Sequence, residues 1–179
     1  MYKILHFNDS KSLKAITPKL HTMKISLIVV GKTEEEYLKS GISQYEKRLV
    51  HYASFNLRVI PSLKNTKNFT PAQQKEKEAE LILQMVEGCD QIILLDEKGK
   101  EYRSVEFANF LQQHMNSGIR HLAFVVGGPF GFSESVYKKA TGKLSLSAMT
   151  FSHQMIRLLF VEQLYRAFTI LKNEPYHNE

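Results

Sequence analysis

Short apolar runs recur along the chain, separated by longer segments of helical periodicity. Four of these runs have the length and the β-branched content of strands that are buried on both faces. They lie at residues 24–30, 56–60, 91–96 and 122–126, and a shorter run follows at 144–146. Because such runs alternate with helical segments, the pattern predicts an α/β fold with a mostly parallel sheet and helices on both faces.

The intervening segments predict five helices. They are expected from Glu34 to about Leu49, from Thr70 to Gly88, from Ser104 to about Gly118, from about Ser133, and from about His153 to Asn173. Thr70, Pro71 and Gln73 give the second helix the start signal of a capping box, and Thr33 and Ser104 are the expected N-caps of the first and the third. Glu97–Lys100 is expected to turn sharply. The last helix is apolar on more than one side, which predicts a subunit interface.

The composition of the chain argues against some classes of function, such as metal-binding and membrane-spanning proteins. The chain has 179 residues and is 43% hydrophobic, as expected for one folded domain. Its net charge of +6 is compatible with binding to nucleic acid, to an anionic surface, or with solubility alone. Cys89 is the single cysteine, and no HxxxH or HExxH spacing indicates a metal site. No apolar run approaches the ~20 residues that span a membrane. We therefore expect a cytoplasmic protein that binds neither metal nor membrane.

The first 22 residues differ from the rest of the chain. They show no sustained period and lack the apolar core of a secretory signal. Met23 stands directly before the first strand, so residues 1–22 are interpreted as an N-terminal extension or leader and residues 23–179 as the single domain. An upstream start codon and an ordered extension that lies on the domain both remain open.

A glycine-rich turn is the first candidate for a binding site. Gly127 and Gly128 follow the buried run at 122–126, and glycine lets a ligand approach the backbone closely. Ligands of open α/β sheets bind at the carboxyl ends of strands. Pro129 stands where a dinucleotide fingerprint needs glycine, and Gly31–Thr33 lacks the loop of a phosphate-binding P-loop. The turn after residue 126 therefore gives little support to nicotinamide or flavin binding, and the turn at Gly31–Thr33 gives little support to nucleoside triphosphate binding.

Two further stretches are candidates for ligand binding and for proton transfer. Leu146–Phe151 is small, apolar and poor in charge, which is unusual for an exposed loop. Such a loop suits an adenine ring, because apolar walls enclose the ring while backbone groups recognise its polar edge; a core-packed connector is an equal alternative. Tyr176 and His177 are either a frayed tail or a phenol and an imidazole that handle a proton over a site.

Basic side chains offer contacts for anions. Arg157 and Arg166 lie about 180° apart around the last helix, so one is expected to pair with a carboxylate and the other with phosphate, with surface ion pairs as the alternative for both. The loop at residues 64–68 carries Lys64 and Lys67. It is interpreted either as a solvated loop or as an arm that contacts phosphates.

Several short segments, in their order and spacing, resemble the RlmH family of small SPOUT methyltransferases. The similarity extends from Met23 to the C-terminus. The matching segments are Met23–Ile25 with Val30–Gly31, Gln44–Leu49, Leu95–Lys100, Phe124–Pro129 with Gly131, Leu144–Thr150, His153–Arg157, Glu162–Ala167 and Pro175–His177. The resemblance implies a SPOUT-type C-terminal trefoil knot and a homodimer. Ser152 stands where many relatives have proline, which predicts a looser start of the last helix.

The resemblance also implies a function. It predicts a methyltransferase that uses S-adenosyl-L-methionine to methylate N3 of a pseudouridine in 23S ribosomal RNA, with the large subunit or the assembled ribosome as its partner. The implied catalytic candidates are Tyr176 and His177, with His153 as a second choice for the base. A non-catalytic ribosome- or RNA-binding protein of the same fold is the alternative. The implied cofactor contacts are Leu95, Gly127, Leu146, Ser147, Ala148, Met149, Thr150 and Phe151.

Overall fold

The structure is a computed structural model that describes residues 23–178. The interpretation of residues 1–22 as an extension or leader therefore lies outside the described residues. The strands are β1 (Lys24–Val30), β2 (Ser54–Ile60), β3 (Gln91–Glu101), β4 (His121–Val126) and β5 (Gly142–Ser145). The helices are α1 (Glu36–Leu49), α2 (Pro71–Met85), α3 (Ser104–Asn116), α4 (Glu134–Lys139) and α5 (Met155–Leu171), with a single 3-10 turn at Thr66–Asn68.

The five strands form one sheet in the order β2-β1-β4-β3-β5. Every neighbouring pair is parallel. The central strand β4 is buried at every residue after His121, and its neighbour β1 is buried at every residue after Lys24. The predicted α/β class with a parallel sheet is thus confirmed, and the carboxyl ends of the strands lie at one edge. The trefoil knot stays a prediction.

Helices cover both faces of the sheet, as the alternation of buried strand residues requires. Ile25 and Leu27 of β1 belong to the larger apolar cluster, which also contains buried residues of α1, α3 and α5. Ile28 and Val30 of the same strand belong to a second cluster, with buried residues of α2 and α4. Successive side chains of one strand therefore enter two different cores, which is why the strands are apolar without a polar face.

The end of β3 differs from the prediction. The sharp turn expected at Glu97–Lys100 is wrong, because β3 extends to Glu101. Its pairing with β5 is interrupted, since Leu95 and Lys100 both pair with Leu144 and the residues between them have no partner in β5. Glycine is needed here, since a Cβ on Gly99 would lie 2.5 Å from the carbonyl carbon of Leu144. The two strands thus come unusually close at the edge of the sheet where the pocket lies.

Of the three predicted helix caps, that of α2 is confirmed. The Thr70 hydroxyl accepts the backbone N–H of Gln73 at 3.2 Å, and the Gln73 side chain accepts the N–H of Thr70 at 2.9 Å, which completes the capping box of α2.

The expectation that Thr33 caps α1 is wrong. That helix begins at Glu36, and the Thr33 hydroxyl instead accepts a hydrogen bond from Arg157 at 3.0 Å. Ser104, the cap expected for α3, is instead the first residue of that helix, and Arg103 is at its N-cap.

Candidate functional site

A cavity of about 650 Å³ opens at the carboxyl ends of β3, β4 and β5. This volume is typical of sites for small molecules and cofactors. The structure brings seven of the eight predicted cofactor-binding residues to its walls, and their binding role stays a prediction. They are Leu95, Gly127, Leu146, Ser147, Met149, Thr150 and Phe151. Ala148, the eighth, is exposed and is not among the lining residues.

The glycine turn after β4 forms one wall. It is closed by an antiparallel bridge in which the N–H of Gly131 donates to the carbonyl of Gly128 at 3.1 Å. Gly131 has a φ of +76°, a conformation that favours glycine. A Cβ on Gly127 would lie 3.2 Å from the Phe132 ring. The turn therefore presents bare backbone to the cavity, as its sequence suggested.

The loop between β5 and α5 forms the opposite wall and is held by its own serines. The Ser145 hydroxyl donates to the carbonyl of Ser147 at 2.8 Å, and the Ser147 hydroxyl accepts the N–H of Met149 at 2.9 Å. The loop is not a core-packed connector, because residues 148–151 are exposed and the Met149 side chain is 73% accessible. Its apolar side chains thus border the cavity, where a ligand could cover them.

A polar rim that the sequence analysis missed lies beside this wall. The Tyr137 hydroxyl donates to the Asp96 carboxylate, and the backbone N–H of Lys98 donates to the same group at 2.8 Å. Burial, followed by the bond to Asp96, raises the pKa of Tyr137, so its hydroxyl stays protonated at neutral pH. Only the position of Asp96 at the end of an apolar run could have indicated this rim.

Arg157 is fully buried, and its guanidinium donates to backbone carbonyls. Its Nη2 donates to the carbonyl of Val30 at 2.7 Å, its Nη1 to that of Gly31 at 2.9 Å, and its Nε to that of His153 at 2.9 Å. Burial lowers the pKa of this guanidinium to about 10. The expectation of a phosphate or surface ion pair is therefore wrong for Arg157, which instead fixes the start of α5 against the end of β1.

His153 lines the cavity at the point where α5 begins. Burial, and then the charge of Arg157, lowers its pKa, so the imidazole is neutral at physiological pH. The residue before it does not loosen the helix, because the Ser152 hydroxyl accepts the N–H of Met155 at 3.1 Å. The backbone at the start of α5 is thus held in place, and it brings a neutral imidazole to the pocket.

The C-terminal tail lies elsewhere and is not frayed at Tyr176. The Tyr176 hydroxyl lies 3.2 Å from that of Tyr45 on α1 and donates to Glu162 on α5 at 3.1 Å. Its ring lies 4.7 Å from the Arg166 guanidinium. Neither Tyr176 nor His177 is among the residues that line the cavity of their own chain. The two predicted parts of the site are therefore separate within one subunit.

Arg166 is paired with a carboxylate, which confirms half of the expectation for the two arginines. Its Nη2 lies 2.6 Å from Oε1 of Glu162, and both side chains are largely buried. Burial, the contact with Tyr45 and the Glu162 charge all raise the pKa of Tyr176. Tyr176 is therefore a hydrogen-bond donor at neutral pH and not a base.

The described part of the chain gives no sign of a metal centre or a membrane span. Between residues 23 and 178, no three His, Cys, Asp or Glu side chains come together as metal ligands would. Over the same residues, no helix combines the length and the apolar character needed to cross a bilayer.

Comparison with solved structures shows the class of fold. A probable methyltransferase from Bordetella pertussis matches with a TM-score of 0.54, covering 83% of this chain and 98% of that one at 12% identity. A probable methylase family protein from Haemophilus influenzae matches with a TM-score of 0.50 at 13% identity, covering 87% and 68%. The parallel sheet and its helices thus belong to an α/β fold that this chain shares with these two proteins.

Sequence comparison identifies the family. The family described as "Predicted SPOUT methyltransferase" matches residues 23–177. Proteins named ribosomal RNA large subunit methyltransferase H are 59% identical in Flavobacterium johnsoniae and 55% identical in Bacteroides fragilis, each over 157 residues that cover 88% of this chain and all of the relative. The chain belongs to the SPOUT methyltransferases and, within them, to the RlmH family. The resemblance seen in the sequence is confirmed.

Proposed function

We propose that this protein uses S-adenosyl-L-methionine to methylate N3 of a pseudouridine in 23S ribosomal RNA, with the assembled ribosome as its substrate. The observation that carries the proposal is the cavity at the carboxyl edge of the sheet, where a bare glycine turn faces an apolar loop. Membership in the RlmH family and the names of its relatives support the choice of ribosomal RNA.

The residues of the cavity fit this methyl donor. Leu95, Leu146 and Ile156 supply apolar surface for an adenine ring, and Gly127 leaves the neighbouring backbone accessible to its polar edge. Asp96 places a carboxylate at the rim, where hydroxyl groups can donate to it. S-adenosylmethionine, when bound, supplies an electrophilic methyl group, so the protein needs no nucleophile of its own. The chain then contributes mainly by orienting the two reactants.

The acceptor N3 carries a proton that a base must remove. His177 is our candidate, and Tyr176, which stays protonated, positions the tail through Glu162. Since neither lines the cavity of its own chain, we place His177 over the pocket of the other subunit in a homodimer. Apolar side chains of α5 that remain partly accessible, such as Met155 and Leu159, support an interface along this helix.

Lysines on the rim supply contacts for the RNA. Lys75 and Lys98 line the cavity, and the chain carries a net charge of +6. Lysine neutralises phosphate and makes binding dependent on salt. A small domain offers few such contacts, so the ribosome itself must provide much of the docking surface. This is why we propose the assembled particle and not free RNA as the substrate.

Transfer of a labelled methyl group to ribosomes from cells that lack this protein tests the proposal. We expect label on assembled ribosomes, much less on protein-free RNA, and a single new N3-methylpseudouridine in mass mapping of the 23S RNA. The His177→Ala variant serves as the matched low-activity control. Label on another atom or another RNA would disprove the assignment.

A non-catalytic ribosome- or RNA-binding protein of the same fold remains the alternative. One observation favours it: within residues 23–178, His153 is the only imidazole at the cavity of its own chain, and it is held there by the packing of Arg157 against its carbonyl. Calorimetry with S-adenosylmethionine separates the two functions. Saturable binding at one site per chain supports the enzyme, whereas no detectable binding supports the alternative.

A further inference from the structure

Glu78 is an acidic residue buried in the middle of α2, with only 3% of its surface accessible. Its Oε1 accepts a hydrogen bond from the Gln74 amide at 2.8 Å. Its Oε2 has no hydrogen-bond partner among the described residues and no contact with solvent. Glu76 and Glu80 on the same helix are exposed. An unpaired buried carboxylate is costly, so its presence requires a reason.

The carboxyl group of Glu78 lies directly behind the wall of the cavity. A Cβ on Gly128 would lie 2.8 Å from both Cδ and Oε1 of Glu78, and closer still to Oε2. Gly128 itself lines the cavity. A single layer of backbone therefore separates this carboxyl group from the space where a ligand would bind, and only glycine at this position permits such proximity.

Within residues 23–178, no cationic side chain forms an ion pair with Glu78. Burial raises the pKa of its carboxyl group, and the hydrogen bond from Gln74 only partly opposes that effect. The charged form is therefore disfavoured in the empty protein and would be stabilised by a cation on the far side of Gly128. In a water-poor interior, one unit charge acts across such a distance far more strongly than it does in solvent.

We propose that Glu78 is a buried counter-charge that makes the cavity bind a cationic methyl donor more tightly than the neutral product. This inference rests on the proposed function. When the carbon–sulfur bond breaks, its electron pair stays on sulfur and the methyl group forms a bond to N3, whose proton has gone to the base. The sulfonium thereby becomes a neutral thioether, and its attraction to Glu78 is lost. The same residue thus favours binding of the donor and release of the product.

Asp96 is a second carboxylate at the cavity, so the test must isolate Glu78. Glu78→Gln keeps the shape and the oxygen that accepts from Gln74 while removing the charge. Glu80→Gln removes one charge from an exposed position of the same helix and is the matched control. Calorimetry with S-adenosylmethionine and with S-adenosylhomocysteine gives the ratio of the two affinities for each protein.

We expect Glu78→Gln to reduce the preference for donor over product roughly tenfold, the order expected for one charge acting across a backbone layer. The affinity for the product and both affinities of Glu80→Gln should stay within about twofold of wild type. The melting temperature of Glu78→Gln should equal or exceed that of wild type, because an uncharged group is easier to bury.

If Glu78→Gln left the ratio of donor to product affinity unchanged, or reduced both affinities equally, Glu78 would not act as a counter-charge to the donor. A lower melting temperature together with an unchanged ratio would show that Glu78 is structural. If the wild-type protein binds neither ligand, the proposed function fails as well, so the two failures are distinguishable.

Discussion

The pocket and the C-terminal tail differ in the chemical groups that they present. The pocket exposes backbone and apolar side chains inside a polar rim, and the imidazole of His153, which lines it, is neutral. The tail is packed among phenols and a buried ion pair, with Tyr176 joined to Glu162 and Arg166 stacked on its ring. One region is suited to holding a ligand and the other to controlling a proton.

This difference explains why neither region forms a complete site alone. The pocket has the walls of a ligand site and one imidazole, that of His153, whereas the tail carries His177 and does not line a cavity of its own chain. A two-fold dimer could join the two regions, because each subunit would bring its tail to the pocket of the other. Substitutions in the pocket should therefore mainly change ligand binding, and substitutions in the tail should mainly change catalysis.

The largest expected effect comes from removing the proposed base. His177→Ala should lower methyl transfer to ribosomes by about 10²- to 10⁴-fold, the range for general-base catalysis. Its affinity for S-adenosylmethionine should stay within about twofold, because the pocket is intact. Transfer rates and calorimetry measure the two quantities, and His51→Ala, an exposed histidine, is the control. Unchanged transfer would remove His177 from the mechanism.

A substitution in the glycine turn should lower the donor affinity, which His177→Ala is expected to leave nearly unchanged. Gly128→Ala forces a Cβ against the Glu78 carboxyl group, so we expect about 1–3 kcal/mol of destabilisation, as in other overpacked sites. Donor affinity should fall at least tenfold. Chemical denaturation and calorimetry give both values. The double variant Gly128→Ala with Glu78→Ala should recover much of the stability, and no recovery would argue against this contact.

Tyr176→Phe should have a smaller effect, confined to the tail. The ring can remain stacked on Arg166, but the hydrogen bond to Glu162 is lost. We expect a loss of about 1 kcal/mol in the free energy of unfolding, as for one partly buried hydrogen bond. Methyl transfer should fall several-fold with donor affinity unchanged. A large loss of donor affinity would show that the tail shapes the pocket directly.

The smallest expected effect is a dependence of stability on pH. The pKa of His153 is lowered in the folded chain by burial, so below about pH 6.5, the usual histidine value, the unfolded chain binds a proton that the folded chain does not. Stability is therefore unaffected well above that value and is lost as the pH falls through it. Melting curves should show a smaller loss between pH 7.5 and 5.5 for His153→Asn than for wild type, whereas His51→Asn should match wild type.

Much of the fold could be predicted because it depends on local pattern. The run at 122–126 has the length and β-branched content of a strand that is buried on both faces, and the Thr70–Gln73 capping box forms within one helical turn. The glycine turn and the apolar loop were likewise visible as unusual composition. Their meeting around one cavity follows from parallel strands, whose carboxyl ends share one edge of the sheet.

Other features depend on partners that are distant in sequence. Arg157 looks like a surface cation, yet its donors meet backbone carbonyls more than 120 residues away. Glu78 has the same side chain as the exposed Glu76 and Glu80, and only its position behind Gly128 gives it a different environment. The close approach of Gly99 to Leu144 also has no local signal.

The sequence alone thus determined most of the strands and helices, the family, and seven of the eight residues predicted for the pocket, because periodicity, turn chemistry and motif spacing are properties of short segments. The tertiary structure decided which charges are buried and how far the tail lies from the cavity. Burial and distance arise only when remote segments pack together, and they set the protonation states on which the chemistry depends.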